Sequence, residues 1–334
     1  MSITTRRRVR MLDIVITHYT EPWEVCRRQL EMLDAQRGVD WNEVRVTIVN
    51  DGGFRLPEDK LYCLNIVPQQ KDIPHSGISA ARNAGIRLAQ EPWIMFCDCD
   101  DCFSNVFALA DILNVLKDPE TEKRYDMMWT NVWAEDLEKG QVYQIQDIKI
   151  MVFIHGKVYR REFLLSHGIW FDERLTFNED SAFNAVIRTR TPDSRIGEIR
   201  MFAPAYVWIS REGSVTQKED ADEKAAIGQL QRNILVAEEQ KIHRPAEYPG
   251  MVTRVIYDTF FMAHSRRLTP SCKQRIIDGF LPWAKENAGL FGAVDAKRMR
   301  QIRQISRAEL TEPGEDICDE PGNVRAWVEW ETRE

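Results

Sequence analysis

The chain has 334 residues, 43 % of them hydrophobic and 29 % charged, with a formal net charge of −7. This composition suits one large or two ordinary globular domains. It excludes a disordered or fibrous chain and a protein that coats nucleic acid through bulk charge. No apolar run approaches the roughly 18 residues of a membrane span, and seven scattered cysteines fit reduced thiols in a cytoplasmic protein better than a disulfide framework.

The chain starts basic and then turns apolar, the order of a signal peptide. Asp13 breaks the apolar stretch and no small-residue cleavage site follows, so this segment is expected to be an arm with Arg6–Arg10 leading into a first strand. Residues 13–19 are apolar and β-branched and predict that strand. Residues 22–36 have helical spacing through Trp23, Cys26, Leu30 and Leu33. Residues 44–50 predict a second strand, stopped by Asp51-Gly52-Gly53, and 64–67 a short third one. A small-residue helix over 76–90 and a strand over 93–97 follow. Strand–helix alternation with buried β-rich runs predicts an α/β fold, a mainly parallel sheet flanked by helices. Ligands bind such sheets beyond the carboxyl ends of the strands, where Asp51 and the cluster Asp98, Asp100 and Asp101 stand.

Further along, 105–117 reads as a helix, 125–132 and 142–150 as strands, 160–167 and 179–190 as helices, and 206–209 as a strand. From about residue 220 the pattern becomes wholly helical, at 221–241, 248–267, 271–287 and 294–310. Pro282 is expected to kink the third of these. The expected division is a domain over 11–216, a helical region over 220–310 and an acidic tail over 311–334.

The densest chemistry is Phe96-Cys97-Asp98-Cys99-Asp100-Asp101. Carboxylates crowded at the end of a buried strand need a counter-charge, because desolvating them alone costs several kcal/mol. Hard oxygens of this kind bind Mg²⁺ or Mn²⁺ beside a diphosphate. A solvated acidic turn is the plainer reading. Asp51 ends a second strand, with glycines that let a ligand approach. Arg82 lies in Gly-Ile-Ser-Ala-Ala-Arg-Asn-Ala-Gly, a packed helix from which an arginine can reach phosphate. Asn178-Glu179-Asp180 opens a helix, where acids favour the dipole in any case. His75, His155 and His167 are candidates to touch acceptor or phosphate, or are ordinary structural histidines. Cys97, Cys99 and Cys102 lack a second ligand cluster for zinc.

Taken in order, these motifs resemble glycosyltransferase family 2. They are Thr-His-Tyr after the first strand, Val-Asn-Asp-Gly-Gly, the Gly77–Gly85 helix, Phe-Cys-Asp-Cys-Asp-Asp, Gly-Lys-Val-Tyr-Arg-Arg-Glu-Phe-Leu, Asn-Glu-Asp and Arg-Glu-Gly-Ser-Val-Thr. The resemblance covers about residues 11–216. It implies a GT-A, Rossmann-like fold with the helical region as a C-terminal extension, and an inverting, metal-dependent transferase using a UDP-sugar. Residue by residue, it implies that Asp51 reads the uracil edge and that Thr17 and Tyr19 line the nucleotide. Arg82 then lies near base and diphosphate. Asp98 and Asp100 contact ribose and metal, with Asp101 next in line. Asp180 is the catalytic base, with Glu179 before it, and Arg211 and Ser214 touch the diphosphate. Asn50 and Gly53 stand where many members carry Asp and Ser. The metal-binding His that some members carry late in the domain has no counterpart after Ser214, where Gln217 stands. A fainter similarity is to members carried by bacteriophages, which would place the protein in the host cytoplasm.

A dinucleotide dehydrogenase is excluded, since no two of the 17 glycines are spaced Gly-x-Gly. A sugar nucleotidyltransferase would need a Gly-rich basic loop after the first strand, and an inactive binding module would not need a base at Asp180. Two acceptors stay open. One is a saccharide or glycoconjugate. The other is a hydroxymethylated base in phage DNA, for which the segment 251–310, at +6, offers Lys297, Arg298, Arg300, Arg303 and Arg307 as a phosphate-contacting patch. A solvated helical face explains the same charges.

Overall fold

A computed structural model describes residues 11–145, 152–211, 220–312, 315 and 317–333. The chain divides into two compact units. The first comprises Met1–Glu173 with Thr191–Ser214, and the second Arg174–Arg190 with Val215–Glu334.

The first unit is built on strands β1 (Leu12–His18), β2 (Val44–Asp51), β3 (Gln69–Ile73) and β4 (Trp93–Asp98). Helix α1 (Trp23–Asp34) joins β1 to β2, the short α2 (Glu58–Leu61) lies between β2 and β3, and α3 (Ile78–Leu88) joins β3 to β4. β1 sits between β2 and β4, parallel to both. Its two faces separate as the strand period requires. Leu12, Ile14 and Ile16 join Leu30 and Leu33 of α1 in one buried cluster, while Val15 on the other face meets Gly85 of α3. A Cβ at Gly85 would lie 2.3 Å from Val15 Cγ1, so only glycine lets that helix lie so close to the sheet.

The third strand is not at 64–67 but at Gln69–Ile73, a polar, largely exposed edge strand parallel to β2. Leu64 and Ile66 are apolar because they pack on the core from a non-strand segment. After β4 come β5 (Cys102–Phe103), α4 (Ala108–Leu116), α5 (Pro119–Arg124), β6 (Met127–Trp129), β7 (Val132–Asp136) and β8 (Gln141–Ile145). The single strand expected over 125–132 is broken at Thr130-Asn131, because β6 and β7 belong to different sheets. The expected strand over 142–150 begins as β8, and its end lies outside the described residues, as do Arg6–Arg10 and Gln217. β9 (Lys157–Arg160), α6 (Arg161–Ser166), β10 (Ile196–Glu198) and β11 (Tyr206–Ser210) complete this unit. The large sheet has the order β10-β6-β9-β4-β1-β2-β3, and β9 is its antiparallel member, pairing with both β4 and β6. A four-stranded sheet, β5-β11-β7-β8, lies in the same unit.

The second unit holds α7 (Glu179–Arg190), α8 (Ala221–His243), α9 (Tyr248–His264), α10 (Pro270–Asn287), α11 (Ala296–Leu310) and α12 (Pro321–Glu331). Pro282 lies within α10. Tyr257, Phe261, Phe280 and Trp283 form its buried core. The segment read as an acidic tail contributes α12, whose Val324 and Val328, one turn apart, are buried in that core. No described helix is long and apolar enough to cross a membrane.

Asp126 clamps the far edge of the large sheet. It accepts hydrogen bonds from Arg160, Arg195 and Thr191. Burial alone would raise its pKa, but these partners outweigh it and bring the group down to about 2. The native carboxyl therefore binds its proton less readily than the unfolded one. Its contribution is complete above the unfolded value of 3.8 and is lost as pH falls through about 2. Chemical denaturation of wild type between pH 4 and pH 2 should show this loss. Asp126→Asn should be less stable at pH 7 and less sensitive to pH across that window.

Candidate active site

β1, β2 and β4 end side by side, and their last residues carry the polar groups of the site. Thr17 is level with Val49 of β2 and Asp98 of β4. Its hydroxyl donates to Asp98 Oδ1 at 3.1 Å. Arg82, only 2 % exposed, reaches from α3 and donates to both Asp98 oxygens, at 3.0 and 3.3 Å. Its guanidinium lies 5.4 Å from the centre of the Phe171 ring. Burial works against the Asp98 charge, but Arg82 and Thr17 prevail and hold its pKa below the ordinary carboxyl value. Arg82 thus acts first as the counter-charge of Asp98.

The neighbouring aspartates have different surroundings. Asp100 accepts from Arg211 at 2.9 Å, and burial together with Asp98 pushes its pKa up. Asp101 is buried and accepts from the backbone N–H of Ile209 in β11 at 2.9 Å. Burial, then Asp98 and Asp100, push its pKa well up. His155 is buried against Tyr206, the rings nearly parallel at 9°. Burial takes His155 down to about 4, so its ring is neutral near pH 7. The Tyr206 hydroxyl in turn accepts from the backbone N–H of Asp98 at 3.2 Å.

Asp98, Asp101 and His155 each present one ligand atom, all within 4.8 Å of one another. Asp101 Oδ2 and His155 Nδ1 face each other at 3.3 Å, and neither has a hydrogen-bond partner among the described residues. Two carboxylates and a neutral imidazole suit a divalent cation such as Mn²⁺ or Mg²⁺. Sequence reasoning named Asp98 and Asp101 but grouped them with Asp100. The structure brings His155 close to Asp98 and Asp101 and pairs Asp100 with Arg211. The histidine lies just before β9, not late in the domain, and no linear spacing pairs it with Asp101.

Asp51 ends β2 and is 4 % exposed. It accepts from the backbone N–H of Ser76 at 2.7 Å, that of Gly77 at 2.9 Å and His75 Nδ1 at 2.9 Å. Tyr19, half-exposed just after β1, stacks on His75. Ser214 lies outside the described residues.

Glu179 and Asp180 form the first turn of α7 in the second unit. Just before them, Asn178 has a φ of 62°, a left-handed conformation that side chains seldom adopt. Its amide donates to the Ala225 carbonyl at 3.2 Å. The turn before the two acids is thereby fixed from α8, a positioning signal that sequence reasoning did not notice. The His167 ring packs on Phe163.

The basic patch is only partly presented. Arg303 donates to Asp319 at 2.6 Å, and Arg307 donates to the carbonyls of Glu315 and Ile317 and pairs with Asp319. Lys297, Arg298 and Arg300 remain exposed on α11. Two residues of the expected patch, Arg303 and Arg307, thus help hold the segment that leads to α12.

Residues 13–176 match the family described as Glycosyl transferase family 2. A curated relative, "Uncharacterized glycosyltransferase EpsJ" of Bacillus subtilis, is 22 % identical over 181 residues, 46 % of this chain, and the match spans half of that protein's length. Among solved structures, S. aureus TarS 1-349 in complex with UDP-GlcNAc superposes with a TM-score of 0.65 at 16 % identity, covering 92 % of this chain and 95 % of the other. The same protein in complex with UDP gives 0.62 at 16 % identity, covering 92 % and 94 %. At such identity the likeness is one of fold.

Arg82→Ala should leave the partly buried Asp98 carboxylate without its counter-charge. Loss of about 3 kcal/mol is expected in urea unfolding, with a rise in the Asp98 pKa visible by carboxyl-carbon NMR. Arg82→Lys should recover only part of this, since a single ammonium cannot reproduce the two-pronged contact.

Proposed function

The chain belongs, through residues 13–176, to glycosyltransferase family 2, and on that premise we propose that it moves a sugar from a UDP-sugar to an acceptor hydroxyl with inversion at the anomeric carbon. The observation that carries this reading is the placement of Asp51 and Asp98 at the ends of β2 and β4, on either side of β1. In a parallel sheet that is where a nucleotide binds. A protein of the same fold, crystallised with UDP and with UDP-GlcNAc, supports a UDP-sugar donor.

In this reading residues 11–216 are the transferase domain. Thr17, Tyr19, Asp51 and Arg82 hold the nucleoside, and Asp98 lies toward the ribose and diphosphate, with Arg211 and Asp100 beyond it; Ser214 is expected to touch the diphosphate. Asp98, Asp101 and His155 would hold Mn²⁺ or Mg²⁺. When bound, such an ion supplies positive charge toward the leaving diphosphate. Asp180, with Glu179 beside it, accepts the proton of the acceptor hydroxyl while that oxygen attacks the anomeric carbon and the bond to UDP breaks. The acceptor is a saccharide or glycoconjugate. The commitment of Arg303 and Arg307 to Asp319 and its neighbours weighs against a DNA backbone as the partner of α11.

Asp180→Asn should lower turnover by roughly 10²–10⁴, the range for removal of a general base, while UDP affinity is nearly kept. Wild-type turnover by that variant would remove Asp180 from the role. Titration of UDP, GDP and CMP in the presence of Mn²⁺ should rank UDP tightest. Tighter binding of GDP would overturn the assignment of the donor base.

A further inference from the structure

His75 already makes both contacts expected of a pyrimidine at this site. Its ring lies parallel to that of Tyr19, with centroids 4.3 Å apart and an angle of 10°. Its Nδ1 lies 2.9 Å from Asp51 Oδ2. An ionised carboxylate only accepts hydrogen bonds, so Nδ1 carries the hydrogen and donates it, as an imide N–H would. The other donors to Asp51 are backbone groups, Ser76 N–H to Oδ1 and Gly77 N–H to Oδ2. His75 is therefore the one side chain that a base can replace without dismantling the turn.

The surroundings leave room for the imidazole at this position. Gly52 has a φ of 106°, and a Cβ there would lie 3.0 Å from Tyr19 Cε2 and 3.2 Å from His75 Cβ. A glycine at the end of β2 thus lets the tyrosine and the histidine close over the strand terminus together. The His75 side chain is 55 % exposed while Asp51 is almost fully covered. The imidazole can swing into solvent, whereas the carboxylate cannot move to meet a ligand elsewhere.

Resting on the reading of Asp51 and Tyr19 as the base-binding pair, we propose that His75 is a built-in competitor for the base: it occupies the slot between Tyr19 and Asp51 and must leave before a uracil can take the same stack and the same hydrogen bond. The cost of displacing it lowers the affinity for the nucleoside, as for any site whose competent form is only a fraction of the population. That cost is the same for every base that takes the slot, so it lowers affinity without changing the ratio between bases.

The test uses calorimetric titration of the full chain with uridine, which has no diphosphate and so reports the base slot by itself, and then with UDP. His75→Ala should bind uridine about 2- to 10-fold more tightly than wild type, the worth of one hydrogen bond to a charged partner offset by water. His75→Phe, which can stack but not donate, should fall between them. Histidine-ring NMR of the wild type should show the His75 signals moving as uridine is added. Equal or weaker uridine binding by His75→Ala, with wild-type binding intact, would overturn the competitor and make His75 part of the wall or irrelevant. No binding of uridine or UDP by either protein would instead remove the donor reading itself, and this inference with it.

Discussion

Asp98, Asp100 and Asp101 leave the carboxyl end of β4 within four residues of chain, and the rest of the site follows from the need to compensate them. Three carboxylates so close cannot all stay ionised in a partly buried place without nearby positive charge or donated hydrogen bonds. Each has a separate solution. Arg82 and Thr17 hold Asp98 in its charged form. Arg211 meets Asp100, and Asp101 turns inward to a backbone N–H of β11 and the neutral ring of His155. The solutions draw on β1, α3, β11 and the segment before β9. The two sheets of this unit are therefore joined at the acidic turn as well as by apolar packing.

This arrangement separates groups that the linear motif treats as equals. Asp98 keeps its charge and is partly open to solvent, which suits a group meeting a ligand. Asp101 is covered and its charge is disfavoured, which suits a group that orients others until a cation changes the balance. Asp51, on the far side of β1, follows the same logic at smaller scale. Its carboxylate gathers the turn before α3 through two backbone N–H groups, so one residue ends a strand and shapes the next helix entry.

The second unit shows how differently helices use charge. Its arginines are largely committed inside the unit. Arg190 grips Glu239 through two hydrogen bonds, and Arg254 reaches both the buried Asp258 and Glu309. Arg303 and Arg307 close on Asp319. Part of a net positive segment thus serves as internal ties, through Arg254, Arg303 and Arg307. Net charge over a window counts residues without regard to such partners.

Periodicity and short motifs were enough to determine the α/β class, the strands β1, β2 and β4, most helices and the acidic strand ends. Those features are local: an alternating or 3.6-residue pattern has to bury one face wherever it occurs, and acids must sit where charge can be met. What lay beyond the sequence was set by contacts between distant segments. β9 is four residues long and owes its strand state to neighbours on both sides. The edge strand β3 is polar, so the apolar residues before it drew the expectation to the wrong segment. α12 was hidden in an acidic stretch whose Val324 and Val328 matter only against the helical core. His155 stands beside Asp101 because β9 runs antiparallel into the sheet next to β4, and His75 lies on Tyr19 because Gly52 leaves room for both rings. Residue type and spacing determined which groups could carry chemistry; only tertiary structure decided which of them meet, because hydrogen bonds and ring contacts depend on distances in space that chain separation does not encode.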